Sequence, residues 1–155
     1  MKLLLIALIT QMLTWGDRPL QWSDFQGMPT DPNLTASSAI EMMLVRQRSA
    51  HTTHYLVKVV FHKERSWTTT KNPYILQHEQ SHFNLAEVYA RILRYRIHNL
   101  DNYKEICRAY DQTVEEWSKA DDLYDLRTGN SQNREEQEKW DKDILKQLSQ
   151  VKAYE

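Results

Sequence analysis

The stretch Leu76-Gln77-His78-Glu79-Gln80-Ser81-His82-Phe83 constrains this chain more than any other. It contains His-Glu-x-x-His, and Leu85, Tyr89 and Ile92 continue the helix face that carries the two histidines. Residues four apart share a helix face, so His78 and His82 point the same way, inward with the apolar residues. A solvated polar segment would not carry that apolar continuation. Two inward imidazoles need a partner. At this spacing they can hold one Zn²⁺ through two nitrogens, while Glu79 can take a proton from a water at the ion's open position. That is the arrangement of a zinc peptidase.

The chain has 155 residues, enough for one domain with one core. Net charge is -1, and Lys and Arg are scattered, so no basic block exists to follow a phosphate backbone. Nucleic acid is excluded as an expected partner. A hydrophobic share of 41% beside 26% charged residues is globular, and three Gly with four Pro argue against a loop-rich all-β fold. At the N-terminus, Lys2 precedes an apolar run from Leu3 to Leu13, then Thr14-Trp15-Gly16. The run covers only about half of a ~30 Å hydrocarbon core, and small residues suit a cleavage site before Asp17. The expected organisation is a signal peptide over 1–16 and a single domain over 17–155. The product would be exported, periplasmic or secreted, with no stable membrane anchor. Cys107 is the only cysteine, so no intramolecular disulfide forms, and its place on an apolar stripe marks it as a core thiol.

In the domain, Trp22 and Phe25 are expected to pin an irregular N-terminal arm to the core, before a turn at Thr30-Asp31-Pro32-Asn33. Two β-like runs follow, Ala39 to Arg48 and Tyr55 to Lys63, with Tyr55, Val57, Val59 and Phe61 alternating; they predict an antiparallel hairpin. His51, His54 and His62 lie in or beside it and read as surface imidazoles. A helix from about Tyr74 to Asn99 carries the His pair near its start, and its late arginines suit the dipole. Asp101 is expected to cap a second helix with a stripe from Tyr103 to Tyr124. Leu126 to Gln132 reads as a loop, and Asn133 with Glu136 as the capping pair of a last helix facing inward through Trp140, Ile144, Leu145, Leu148 and Val151. The expected fold class is α+β and zincin-like: a small N-terminal antiparallel sheet on the helix of the site, then two further helices.

With these landmarks placed, the chain resembles a domain-of-unknown-function family of bacterial exported proteins described as secreted zinc-dependent proteases. The resemblance rests on Trp22-x-Asp24-Phe25-x-Gly27-x-Pro29, Ala36-Ser37-Ser38-Ala39, Ser66-Trp67, and the His78 to Phe83 stretch with Ala86-Glu87 and Arg91. It continues through Tyr124-Asp125-x-x-Thr128 and Gln137-x-x-Trp140-Asp141. It implies a zinc cofactor and hydrolysis of a peptide or protein substrate. One departure stands out: where the family carries His followed by Gly or Ser, this sequence has Asn130-Ser131, and a neutral amide is a poor zinc ligand.

A catalytic zinc takes three protein ligands and keeps one position open, so folding must bring a third donor to His78 and His82. Glu87 lies about 140° around the helix from His82 and cannot serve, and His98 is several turns away. Asp125 is the favoured donor, since it is anionic and belongs to one of the shared motifs; Asp121 and Asp122 are the alternatives. Glu79 is the expected base and then proton donor, Tyr124 the expected oxyanion partner, and the strand from Tyr55 to Lys63 an edge for an extended peptide. The rival reading is a catalytically inactive exported zinc-binding or protein-interaction module. Metal content and peptide cleavage, measured separately, distinguish the two.

Overall fold

Alternation at Tyr55, Val57, Val59 and Phe61 produces the expected hairpin. In the computed structural model, which describes residues 11–155, β3 (Ile40–Arg48) and β4 (Thr53–His62) pair antiparallel from Ile40 opposite Phe61 to Arg48 opposite Thr53. The link is closed by Ser49 and Thr52, whose hydroxyls lie 2.6 Å apart. A third strand, β1 (Met12–Thr14), pairs with the other side of β4 opposite Val60 to His62, so β4 is the central strand. A separate two-stranded sheet joins β2 (Ala36–Ser37) to β5 (Trp67–Thr68).

Strand β1 bears on the expected leader. Residues 1–10 lie outside the described residues, but 12–15 are built into the domain ahead of the expected cleavage point at Asp17. Leu13 is buried, the Trp15 amide donates to Val59 O at 2.9 Å, and the Trp15 indole donates to Asn84 Oδ1 at 3.0 Å beneath the Arg91 guanidinium. The end of the apolar run thus serves as an edge strand whose side chain fills the core.

Three α-helices follow among the described residues, and the fold is mixed α+β. Pro73 opens α1 (Pro73–Ile97), where its missing N–H costs nothing, and the Asn72 side chain accepts from the Tyr74 amide at 3.0 Å. Helix α2 (Tyr103–Thr128) is capped by Asn102, one residue beyond the expected Asp101. It also runs further than expected: Leu126 to Thr128 are helical, and Gly129, with φ +56°, supplies the left-handed residue that ends it. The loop therefore shrinks to a short turn before α3 (Arg134–Gln150). Asn133 caps α3 by accepting from the Glu136 amide, as expected, while the Glu136 carboxylate turns to Lys139 instead of completing a box.

Helix α1 is buried on two sides, which fixes the rest. Phe83, Ala86, Ala90, Leu93 and Ile97 pack on Val57, Val59 and Phe61 of the sheet. Leu85 and Val88, with Tyr89 and Ile92, pack on Tyr124, Ile144 and Leu148 of α2 and α3. The face carrying His78 and His82 is thereby aimed at α2. The N-terminal arm is anchored as expected: the Trp22 ring lies tilted against Phe25, and Phe25 sits edge-on to Phe61 at 5.1 Å between centroids. Gly27 lets the arm cross the β4–β5 connection, since a Cβ there would lie 2.7 Å from Glu64 O and 2.9 Å from Ser66 O.

Candidate metal centre

Folding brings Asp125, near the end of α2, against the His pair near the start of α1. Its Oδ1 lies 3.1 Å from His78 Nε2 and 3.1 Å from His82 Nε2, and the two nitrogens are 3.2 Å apart. These three donors form a near-equilateral triangle. Donors around a tetrahedral ion with bonds of 2.0–2.1 Å are separated by about 3.3–3.4 Å, so the triangle is one face of such a polyhedron with a slight contraction. Among the described residues, this is the group of His, Cys, Asp and Glu side chains able to hold a metal ion.

The outer partners settle what the inner atoms can do. His78 Nδ1 donates to Gln137 Oε1 at 2.9 Å, and His82 Nδ1 donates to Asp121 Oδ1 at 2.7 Å. The Gln137 orientation is itself fixed, because its Nε2 donates to the Tyr124 hydroxyl at 2.7 Å and to Asp141 Oδ1 at 3.3 Å. With both Nδ1 atoms donating outward, Nε2 of each ring faces the other ring and a carboxylate oxygen, and can give a metal ion its lone pair once it carries no proton. A proton or a metal ion among these three atoms offsets the repulsion between them. Burial opposes charge on His82, but the Asp121 and Asp125 carboxylates outweigh it and hold its pKa well above the usual value, so a metal ion would have to displace the Nε2 proton. Burial likewise disfavours the Asp125 anion, yet the two imidazoles keep its pKa far below the ordinary carboxylate range.

Glu79 is buried and lines the same cavity, of about 570 Å³, as the three donors. Its Oε2 accepts from the Ser38 hydroxyl at 2.5 Å, which orients the carboxylate and leaves Oε1 without a hydrogen bond among the described residues. Ser38 sits between β2 and β3. Residues 33–38 line one side of the cavity, and the turn between α2 and α3 contributes another through Asn130, Ser131 and Gln132.

Two expectations do not survive this geometry. Tyr124 is fully buried beneath the His pair, stacked on His78 at 4.8 Å and 19° and edge-on to His82. Its hydroxyl accepts from Gln137 and faces the His78 carbonyl oxygen at 3.4 Å, so it is not available to an oxyanion; burial, with the Asp141 charge, pushes its pKa up. Strand β4 does not offer an edge at the site either, because it is the central strand of its sheet and none of its residues lines the cavity. The chain segment beside the donors is β2, paired on one side only, to β5.

Asn130 lines the cavity, and the group that could hold a metal ion is made by His78, His82 and Asp125, five residues earlier, without residue 130. Asp121 takes the outer position on His82, and Asp122 is exposed. Ser38, Gln137 and Asp141 went unassigned in the sequence, although each belongs to a short motif that the resemblance quoted. No family model, curated protein or solved structure matches this chain.

Proposed function

We propose that this chain is an exported zinc-dependent metallopeptidase with a zincin-like site, acting on peptide bonds of a peptide or protein. The observation that carries the reading is the convergence of His78 Nε2, His82 Nε2 and Asp125 Oδ1 within 3.2 Å of one another on the cavity that also holds Glu79. Two imidazoles and a carboxylate are a donor set that suits zinc and leaves one position open. Bound zinc supplies Lewis acidity toward a substrate carbonyl and lowers the pKa of a water toward about 7. The chain's own residues do the rest. His78 and His82 would hold the ion through Nε2, with Nδ1 donating to Gln137 and Asp121, and Asp125 would add the anionic donor. Glu79, steadied by Ser38, takes the proton of the attacking water and returns it to the leaving amine. Residues 33–38 offer backbone groups beside which an extended peptide can lie.

Glu79→Gln separates binding from chemistry. The amide keeps the size of the side chain but cannot accept a proton, so zinc should stay near one per chain while hydrolysis of unfolded polypeptide drops by about 10² to 10⁴. Wild type that holds zinc but cleaves nothing, with or without chelator, favours the non-catalytic module. Equal cleavage by Glu79→Gln and wild type assigns the activity to another site.

A further inference from the structure

We propose that Arg134 makes the cavity selective for ligands carrying a carboxylate, an inference that rests on the metallopeptidase reading above. Among the described residues lining the cavity, Arg134 is the one lysine or arginine, set against the carboxylates of Glu79, Asp121 and Asp125. It forms no ion pair among the described residues. Its sequence neighbours Glu135 and Glu136 both pair with Lys139, at 2.9 and 3.0 Å.

Helix stability does not account for an arginine here. Arg134 is the first residue of α3, where the dipole disfavours positive charge. What holds it is the cavity wall: its guanidinium carbon lies 4.7 Å from the centroid of the Tyr74 ring, and Tyr74 lines the same cavity one helical turn before His78. The stacking restricts a long side chain while leaving the N–H fork free, and a planar fork of that kind matches a carboxylate through two parallel hydrogen bonds. A peptide offers that group at its C-terminus or on an Asp or Glu side chain. Either would find the cation on the wall of the cavity that holds the metal donors.

The test is calorimetric titration of zinc-loaded protein with three short peptide hydroxamates, whose common end chelates zinc. One has a free C-terminal carboxylate, one is the neutral C-terminal amide, and one is an amide bearing a Glu side chain. At least one carboxylate compound should bind wild type about tenfold more tightly than the neutral amide. Arg134→Ala should erase that advantage and leave the neutral compound's affinity as it was, while Arg134→Lys keeps part of the advantage. Whichever carboxylate compound is favoured identifies the group recognised. Equal binding of all three to wild type, or an advantage that survives Arg134→Ala, overturns the proposal and leaves the metal site intact. If no hydroxamate binds zinc-loaded protein, the metallopeptidase reading fails and the role of Arg134 falls with it.

Discussion

The ring of His78 donates through Nδ1 to the side-chain carbonyl of Gln137, 2.9 Å away and 59 residues distant in sequence. Gln137 is fully buried, and its amide nitrogen donates to the hydroxyl of Tyr124, on whose ring His78 is stacked. One side chain thus orients an imidazole of the candidate metal centre, both directly and through Tyr124. Gln137→Leu should weaken zinc binding by about 10- to 100-fold without unfolding the protein, whereas Gln137→Glu keeps an acceptor and should fall less. Competition against a coloured chelator measures both. Wild-type affinity in a folded Gln137→Leu protein would remove Gln137 from the account.

The His-Glu-x-x-His pair was legible because its chemistry is local: two residues one turn apart on a face whose later positions are apolar. Asp125 was legible only as a preference among carboxylates, since a donor brought from another helix leaves no spacing signal. Gln137 and Ser38 carried no chemical signal at all; a neutral amide and a hydroxyl acquire a role only when the fold sets them against an imidazole and a carboxylate. The hairpin followed from alternation in β4, which is half covered by α1. Strand β1 did not, because an apolar run without alternation reads as a leader. A glycine in a polar stretch reads as loop, so the sequence places Leu126 to Thr128 outside the helix, whereas Gly129 is the left-handed residue that ends it.

Strand β1 makes the N-terminal boundary measurable. A chain beginning at Asp17 loses the buried Leu13 side chain, the Trp15 contacts and the edge pairing with Val60 to His62. Burial of one Leu side chain alone contributes about 2 kcal/mol, so this protein should melt several degrees below one beginning at Gln11. Identical melting temperatures would show that β1 adds nothing to the folded domain.

Acid stability should depend on Arg18 and Asp24. Burial works to raise the Asp24 pKa, but hydrogen bonds from Arg18, the Gln21 amide and Lys63 outweigh it, and the folded value lies below the ordinary carboxylate range. A carboxyl depressed on folding stabilises the protein at pH above its unfolded pKa of about 3.9, and that contribution is lost as pH falls through the folded value. Arg18→Ala should therefore shift the acid-unfolding midpoint to higher pH. An unchanged midpoint would show that Lys63 and the backbone suffice to hold Asp24.

The most direct test of the metal centre is zinc content per chain after dialysis against low free zinc, for wild type and for His78→Ala, His82→Ala, Asp125→Ala and Asp122→Ala. Wild type and the exposed-site control Asp122→Ala should each retain one zinc, and the three donor variants should lose it while remaining folded by circular dichroism. Removal of zinc by chelator should be reversible in wild type. Zinc absent from wild type, or retained at one per chain in all three donor variants, would contradict the site.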